Sequence, residues 1–517
     1  LPDYAVRTTL RMFAALVASL IFTFTVATLA AKSRHAAIIV LPMLDILQSV
    51  PILGFLSFTV LFFLNLFPGQ VLGAECAAIF AIFTSQAWNM AFSFYQALTT
   101  LPADLDEAAR SFGLTAWQRF WRLEVPFAIP GLVWNTMLSM SGGWFFVVAS
   151  EAISVGNTEI TLPGIGSYVA LALQRKDLLA VFYAVLTMLV VILLYDQLLF
   201  RPLVAWSGKF RFETVSAAAG SEPWMLKLLR RTYLLHEAGR WLGDRLSMIG
   251  GLRISLPVPR RSRPAGNRAQ RVGDATFMIA VALVAAAALW RIEIFAAARL
   301  RLADLWVCLL LGFYTLIRVL AAVGISCAIW VPAGVWIGLR PKVARRVQPV
   351  AQFLAAFPAN LLFPVVVAGI VFFHLAPNIW LTPLMILGTQ WYILFNVIAG
   401  AAALPGDLRE AASHFHLQGF RWWQRLIIPG ILPYLVTGAL TASGAAWNAS
   451  IVAEVASWGN RKLVAEGLGA YIAEATSAGN TGRIVLGVFV MSGFVLLFNR
   501  LVWRPLYAYA SRRVTLG

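Results

Sequence analysis

The sequence is poor in charge and in reactive side chains for a chain of 517 residues. Only 12% of its residues are charged, whereas soluble domains contain about 25%. Its three cysteines form no Cys-x-x-Cys pair, so the pattern indicates neither a zinc site nor a disulfide framework. It contains no Gly-x-x-x-x-Gly-Lys-Ser/Thr segment, so the sequence has no P-loop that could bind ATP.

Long apolar runs are abundant instead, and 60% of the residues are hydrophobic. A membrane span needs about 20 predominantly apolar residues. Eleven runs approach or exceed that length, at residues 10–31, 36–67, 74–98, 127–149, 178–200, 277–290, 305–339, 347–374, 379–404, 430–453 and 484–502. We therefore predict an all-α, polytopic membrane protein with about eleven spans.

Basic residues outnumber acidic ones by 41 to 23, which gives a net charge of +18. Such an excess also occurs in proteins that bind nucleic acid. Here the cations lie between apolar runs, where the positive-inside rule places them on the cytoplasmic side. We therefore predict that the charge reflects membrane orientation and that the protein binds no nucleic acid.

Residues 207–274 interrupt the apolar pattern with thirteen Lys or Arg against five Asp or Glu. This composition predicts a basic cytoplasmic linker. Residues 224–242 alternate tryptophan and leucine with cations at helical spacing, which predicts an amphipathic helix on the anionic membrane surface. Docking of that helix on a partner protein is the alternative.

The chain repeats itself around the linker. Glu107-Ala108-Ala109 recurs 303 residues later as Glu410-Ala411-Ala412. In the first two apolar runs and just before them the offset is 307. Thr8 and Arg11 therefore recur as Thr315 and Arg318, and the prolines at 42 and 51 recur at 349 and 358. The series predicts two parallel repeats, residues 1–206 and 275–517, related by a pseudo-twofold axis along the membrane normal.

The second repeat has an additional leading run at 277–290, and we expect a corresponding span to precede Leu1. Six spans per half place both Glu-Ala-Ala segments on one side of the membrane. Positive charge assigns that side, the linker and both termini to the cytoplasm.

Each Glu-Ala-Ala segment follows a Leu-Pro turn and precedes a stretch rich in aromatic and basic residues. Small alanines in a short helix let another surface approach closely. A loop packed only on its own bundle is the alternative. Because the polar patch occurs in both halves at matching positions, we predict that a soluble partner docks there.

The patch resembles the EAA loop of binding-protein-dependent ABC transporter permeases. That pattern is Glu-Ala-Ala, a glycine four residues after the second alanine, and a later proline; Gly113 and Pro126 complete it in the first half. In the second half Pro429 matches, but His416 stands where glycine is expected. This difference raises the question whether the two loops act alike, because histidine adopts positive φ less readily than glycine.

The resemblance implies two fused six-span permease bundles of the MetI-like type in the bacterial cytoplasmic (inner) membrane, similar to the nitrate/sulfonate/taurine branch. It implies a transport subunit rather than an enzyme. Its partners would be two cytoplasmic ABC ATPase subunits, which hold the ATP and magnesium, and a periplasmic or lipid-anchored substrate-binding protein. The implied solute is a small anion such as nitrate, sulfonate, taurine or bicarbonate. The implied coupling residues are Glu107, Ala108, Ala109, Gly113, Glu410, Ala411, Ala412 and His416.

Polar residues within spans are costly and tend to face protein or a cavity. Ten such residues, with paired tryptophans among them, are the candidates for a translocation pathway between the halves: Gln86, Trp88, Asn89, Asn135, Trp144, Gln390, Trp391, Asn396, Trp447 and Asn448. For each of them, hydrogen bonding between packed helices is the alternative. We find no clear charged residue in the middle of these helices, so a fixed-charge anion site is not predicted.

Glu151 and Glu454 follow the outward-running spans at equivalent positions. Contact with the external binding protein and capping of the outer helix ends are the two interpretations.

Two other classes of protein compete with the permease. An ion-coupled secondary transporter needs intramembrane charges, and the candidates Asp45, Glu75 and Arg318 have no repeat-related acid to pair with. A membrane-embedded enzyme needs a cluster of His, Asp or Glu, but the histidines are scattered, at 35, 236, 374, 414 and 416. No metal site is predicted.

Overall fold

The protein folds as two bundles of long helices separated by the linker. The computed structural model describes residues 1–155, 158–210, 302–458 and 461–513, together with scattered positions between 248 and 291. Nearly all of the predicted linker, including its amphipathic helix, lies outside these residues. The described positions of the predicted leading span 277–290 are helical.

The first half contains eight helices and one hairpin among its described residues. They are α1 (Pro2–Lys32), α2 (Arg34–Ser49), α3 (Ile52–Leu66), α4 (Val71–Thr99), α5 (Ala103–Ser111), α6 (Ala116–Ser150), β1 (Ala152–Val155), β2 (Thr158–Thr161), α7 (Ile165–Gln174) and α8 (Leu178–Ser207). The strands pair antiparallel, with Ile153 opposite Ile160.

The second half repeats this order. Its elements are α9 (Leu302–Gly338), α10 (Pro341–Ala356), α11 (Ala359–Phe372), α12 (Pro377–Ala402), α13 (Gly406–His414), α14 (Gly419–Ala453), β3 (Val455–Trp458), β4 (Arg461–Val464), α15 (Leu468–Ser477) and α16 (Thr481–Ala510). Equivalent side chains start equivalent helices: Asp177 accepts the Ala180 N–H at the start of α8, and Asn480 accepts the Arg483 N–H at the start of α16.

Eight of the described helices, α1, α4, α6, α8, α9, α12, α14 and α16, are long and apolar enough to cross a membrane. The predicted run 36–67 is divided into α2 and α3, and the run 347–374 into α10 and α11, which meet at 70°. The divisions fall at Pro51 and Pro358, whereas Pro42 and Pro349 lie inside helices. Proline has no backbone N–H to donate to the preceding turn, so a span can break there.

The helix after each break packs into the opposite half. Leu53, Leu56 and Val60 of α3 belong to a buried core with Trp447 and Met491 of the second half. Conversely, Leu361 is buried in the first-half core with Met140, Trp144 and Val147. This reciprocal exchange is the arrangement that a pseudo-twofold axis produces.

Single π-helical turns interrupt several spans. The turn Phe120–Glu124 in α6 recurs as Trp423–Ile427 in α14, and Asp196–Phe200 in α8 recurs as Asn499–Trp503 in α16. The two members of each pair are 303 residues apart. The turn Thr23–Ala27 belongs to α1 alone, because α9 is α-helical from Leu302 to Gly338.

Candidate coupling surface, cavity and buried polar clusters

The Glu-Ala-Ala segments form the short helices α5 and α13, here called the Glu-Ala-Ala helices. The second alanine of each, Ala109 or Ala412, is buried, while Glu107 and Glu410 are exposed. Ala108 is exposed and Ala411 is half-buried. Each helix therefore buries its second alanine against its own bundle and leaves its glutamate exposed.

Both Glu-Ala-Ala helices end in the same hydrogen-bonded turn. Gly113 donates its N–H to the Arg110 carbonyl and Leu114 donates to the Ala109 carbonyl, which is the Schellman pattern. The second half repeats these bonds from His416 to Ser413 and from Leu417 to Ala412. The left-handed residue has φ +69° at Gly113 and +51° at His416. Histidine thus keeps the turn, at the expense of a conformation that a side chain disfavours.

The two Glu-Ala-Ala helices differ in the ion pairs beside them. Asp106 pairs with Arg110 at 2.6 Å and with Arg119 at 2.8 Å, which ties α5 to the start of α6. Partial burial alone would raise the pKa of the Asp106 carboxyl, but hydrogen bonds and charge from the two arginines bring this pKa below its ordinary 3.8. In α13 and α14 the equivalent positions hold Arg409, Ser413 and Trp422.

The linker touches the first half near this surface. Gln118 donates to the carbonyl of Gly251 at 3.0 Å. Gln118 also forms a reciprocal capping box with Thr115 at the start of α6. The described part of the linker therefore approaches the first Glu-Ala-Ala helix through the segment that follows it.

A cavity of about 450 Å³ lies between the halves, lined by α4, α6 and α8 and by their counterparts α12, α14 and α16. Of the described residues that line it, none is Lys, Arg or His, and the one acid is Asp196. That carboxylate pairs with Arg201 at 3.0 Å. The indole N–H groups of Trp88, Trp447 and Trp503 have no hydrogen-bond partner among the described residues. These indole nitrogens are buried away from the cavity, whose described wall is made mainly of aromatic and neutral polar side chains and contains no cation.

Six of the ten predicted pathway residues line this cavity: Trp88, Asn89, Trp144, Trp391, Trp447 and Asn448. The other four bond within or between neighbouring helices. Gln86 lies buried against Met12 and Met140, and Gln390 accepts from the Trp330 indole. Asn135 and Asn396 donate to carbonyls of their own helices, Gly131 and Tyr392. For these four the packing alternative is the one that the contacts support.

A buried polar cluster, here called the first clamp, joins α1, α4 and the segment after α6. Arg11, whose side chain is 4% exposed, forms a bidentate pair with Glu75 at 2.6 and 2.7 Å and bonds Glu151 at 2.8 Å. Thr8 donates to the same Glu151 carboxylate at 2.7 Å. The other Glu151 oxygen accepts the Gly166 N–H at the start of α7.

The second clamp repeats this arrangement. Arg318 bonds Glu454 at 3.0 Å, Thr315 donates to the same carboxylate at 2.8 Å, and the Ala470 N–H at the start of α15 donates to its other oxygen. Where the first clamp has Glu75, the second has Asn378, whose two oxygens accept from the Arg318 guanidinium. The first clamp therefore holds two carboxylates for one arginine, and the second holds one.

Glycine is required where the clamps meet the outer loops. A Cβ atom at Gly164 would collide with the Glu151 carboxyl, and one at Gly467 would collide with that of Glu454. The backbone can approach the carboxylates only because both positions lack a side chain.

The clamps correct two predictions from the sequence. Glu151 and Glu454 are 0% and 1% exposed, so an external protein cannot contact their carboxylates in this structure; they cap helices α7 and α15, as the alternative interpretation held. Intramembrane arginines do have repeat-related acidic partners, which we missed. The recurrence of Arg11 with Glu151 as Arg318 with Glu454 was the available signal. The side chain of Asp45 lies outside the described part of the chain.

Two hydrogen bonds, here called the crossing contacts, join the halves at the broken spans. The Ile52 N–H, directly after Pro51, donates to the Asn448 Oδ1 of α14 at 2.6 Å. Reciprocally, the Asn360 Nδ2, directly after the Pro358 break, donates to the Phe145 carbonyl of α6 at 3.1 Å. Phe145 and Asn448 are equivalent positions of the repeat, so each break abuts the same place on the opposite half.

A family model for "binding-protein-dependent transport system inner membrane component" matches the chain twice, at residues 14–200 and 330–515. Together the two matches cover more than half of the chain and coincide with its two helical bundles. The chain belongs to this family. The predictions of two repeated all-α, MetI-like permease bundles and of a multi-pass inner membrane protein are thereby confirmed.

Curated relatives in this family are transport permeases. The bicarbonate transport system permease protein CmpB of Synechocystis sp. is 28% identical over 35% of this chain and 62% of its own length. The nitrate import permease protein NrtB of Leptolyngbya laminosa is 25% identical over 33% of this chain and 57% of its own length. The glycine betaine/carnitine transport permease protein GbuB of Listeria monocytogenes is 31% identical over 32% and 54%, respectively. The chain therefore spans less than two thirds of the length of each.

Proposed function

We propose that this chain is the transmembrane permease component of an ATP-driven importer for a small solute, with both permease units in one polypeptide. The observation that carries the proposal is the pair of Glu-Ala-Ala helices. They have the same terminal turn, the same buried alanine and the same exposed glutamate, and a cavity lies between the bundles that bear them.

The energy for transport comes from a partner in this proposal. The sequence has no P-loop, so ATP and magnesium are held by two cytoplasmic ATPase subunits, one docked on each Glu-Ala-Ala helix. A periplasmic or lipid-anchored binding protein delivers the solute on the outer side. The family name, which specifies binding-protein-dependent transport, supports this set of partners.

Movement of the two halves against each other opens the cavity alternately to the two sides. Each clamp joins three segments of its own half through buried charge-assisted bonds, so these segments move together as one unit. The crossing contacts are single hydrogen bonds between halves, and they are the polar contacts that change when the halves separate. Closure of the ATPase subunits acts on this arrangement through α5 and α13.

We propose a small anion, such as bicarbonate, nitrate, a sulfonate or taurine, as the solute. Relatives named for bicarbonate and nitrate transport support this class, although a relative named for betaine transport also matches. The cavity wall carries neutral amide side chains, such as those of Asn89 and Asn448, in place of a fixed cation. Such a wall holds an anion weakly, which suits a passage whose selectivity is set by the binding protein.

The charges of the clamps do not favour ion-coupled secondary transport. Such a mechanism needs a titratable group that faces the transported ion. Arg11, Glu151, Arg318 and Glu454 are buried in pairs and do not line the cavity, and Asp196 is paired with Arg201.

Joint replacement Glu107→Gln and Glu410→Gln tests the proposal in proteoliposomes that contain the ATPase subunits and the binding protein. We expect solute-stimulated ATP hydrolysis and uptake to be abolished, while the chain remains inserted and monodisperse. The matched control is Glu474→Gln, since this half-exposed glutamate lies on α15 at the other end of the second bundle and pairs only weakly, at 3.9 Å, with Lys462. Unchanged transport in the double variant would refute the docking role.

A further inference from the structure

Each Glu-Ala-Ala helix carries an exposed phenylalanine that its own bundle does not use. Phe112 caps the C-terminus of α5 and is 84% exposed; Phe415 caps α13 and is 78% exposed. The two are equivalent in the repeat. Large aromatic side chains at this exposure lose the stabilisation of burial and mark interaction sites when they recur in a defined place.

The turn itself does not require these rings. In a Schellman motif the apolar packing comes from the residue after the left-handed position, against the helix residue that accepts its N–H. Leu114 and Leu417 occupy that position, and the accepting residues Ala109 and Ala412 are buried. The phenylalanine one residue before the left-handed position points away from this packing in both halves.

Exposed residues around the first ring favour a protein over lipid as the occupant. On α5 the ring follows the exposed Ala108 by one helical turn, so that a partner surface can approach it closely. The first turn of that helix is acidic, with Asp104 and Asp106, and Glu107 follows. Acidic side chains are repelled by the anionic inner leaflet, so insertion of this tip among headgroups is disfavoured.

We propose that Phe112 and Phe415 are the aromatic anchors through which the two Glu-Ala-Ala helices seat in apolar sockets of the ATP-hydrolysing partner. This inference rests on the proposed function and adds to it the residues that carry the binding energy. Interface hot spots are large side chains that become fully desolvated in the centre of an interface.

The experiment uses the ATPase subunit isolated with the tagged wild-type chain, purified alone and titrated against the full chain in lipid nanodiscs. We expect Phe112→Ala and Phe415→Ala each to weaken binding by about tenfold or more, as hot-spot truncation does, and the double variant to abolish it. Phe112→Tyr with Phe415→Tyr should restore most of the binding. The matched control is Phe372→Ala, because Phe372 is 76% exposed at the opposite end of the second bundle.

The outcomes separate this inference from the proposed function. Wild-type affinity in Phe112→Ala with Phe415→Ala, combined with lost coupling in Glu107→Gln with Glu410→Gln, would overturn the anchors and leave the proposed function standing. Failure of any ATPase to bind the wild-type chain would overturn both. If the alanine variants keep ATPase affinity but bind less to vesicles of anionic phospholipid, the rings contact lipid and the inference is wrong.

Discussion

The two halves of this chain have one geometry and different chemistry. The first half holds the segments beside its Glu-Ala-Ala helix with ion pairs: Lys32 bonds Glu124 at 2.9 Å, and Asp106 bonds Arg119 at 2.8 Å. In the second half the positions equivalent to Lys32 and Glu124 are Leu339 and Ile427, which pack in an apolar core. The clamps differ in charge in the same way: the first contains the carboxylate of Glu75 where the second contains the neutral Asn378.

The comparison shows that the scaffold depends on shape more than on charge. A buried or half-buried ion pair replaced by apolar side chains of similar volume often leaves stability unchanged. The halves nevertheless differ in what perturbs them, because salt and pH act on ion pairs and not on leucine or isoleucine. The first half is therefore the one in which the segments beside the Glu-Ala-Ala helix respond to ionic conditions.

Replacement of the clamp arginines should produce the largest difference in stability between the two halves. Arg11→Met leaves two carboxylates without their cation and Arg318→Met leaves one, and removal of one partner of a buried pair costs about 3–5 kcal/mol. We expect a large fall in the thermal unfolding temperature in detergent for both, and the larger fall for Arg11→Met. The control is Arg7→Met on the same helix, which breaks only the exposed pair with Asp3. Equal unfolding temperatures for Arg7→Met and Arg11→Met would contradict the clamp.

Substitution of the crossing contacts should have an intermediate and unequal effect. Asn448→Ala orphans the Ile52 N–H, which lies at the start of a helix and has no intrahelical acceptor, at a cost of about 1–3 kcal/mol. Asn360→Ala should cost less, since the Phe145 carbonyl lies inside α6 and keeps its helical bond. Hydrogen exchange at the start of α3 and α11 measures both. Asn396→Ala is the control, because that side chain bonds only its own helix, and faster exchange in the Asn360 variant than in the Asn448 variant would refute the ranking.

Swapping glycine and histidine between the two left-handed positions should reverse the difference in turn stability between the two loops. His416→Gly removes a side chain from a positive-φ position and should slow hydrogen exchange in the turn after α13, whereas Gly113→His should speed it after α5, each by an amount worth about 1 kcal/mol. We expect transport to tolerate His416→Gly. Loss of transport with a stabilised turn would instead reveal a specific contact made by the imidazole.

The smallest effect concerns the ion pairs of Asp106. Its pKa is lowered in the folded protein, so its stabilisation is present above the ordinary value of 3.8 and is lost as the pH falls through the lowered pKa. Asp106→Asn should weaken protection of α5 by less than about 1 kcal/mol, as exposed pairs do, and high salt should mimic it. Hydrogen exchange of α13 should be insensitive to both treatments. Equal salt dependence of hydrogen exchange in α5 and α13 would contradict the stabilisation of α5 by these ion pairs.

The repeat made much of this architecture predictable. The constant offsets indicated two bundles and equivalent Glu-Ala-Ala helices, but the recurring prolines did not show that the spans divide at Pro51 and Pro358 rather than at Pro42 and Pro349. The clamps were not foreseen, because Arg11 and Glu151 lie 140 residues apart and nothing local connects them. A pair of opposite charges that recurs together in apolar surroundings was the sign of a contact, and we read its two members separately.

The cavity was foreseen only in part for a different reason. Spans buried in a bundle are apolar on nearly every face, so periodicity does not show which side of a helix faces a passage. Trp88 and Asn89 face the cavity, whereas Gln86 on the same helix lies against methionines. All three were pathway candidates because they are polar residues or tryptophans within a span. Only the packing of α4 against its neighbours distinguishes them.

The π-helical turns set which side of the following helical segment faces the rest of its bundle. Each turn holds one residue more than an α-helical turn, and that residue rotates the rest of the helix by about 100°. The same extra residue stands at Phe120–Glu124 and Trp423–Ile427, and again at Asp196–Phe200 and Asn499–Trp503. The segments that follow these turns are therefore rotated in the same way in both halves, whereas the π-helical turn of α1, which α9 does not share, rotates the end of the first span in one half alone.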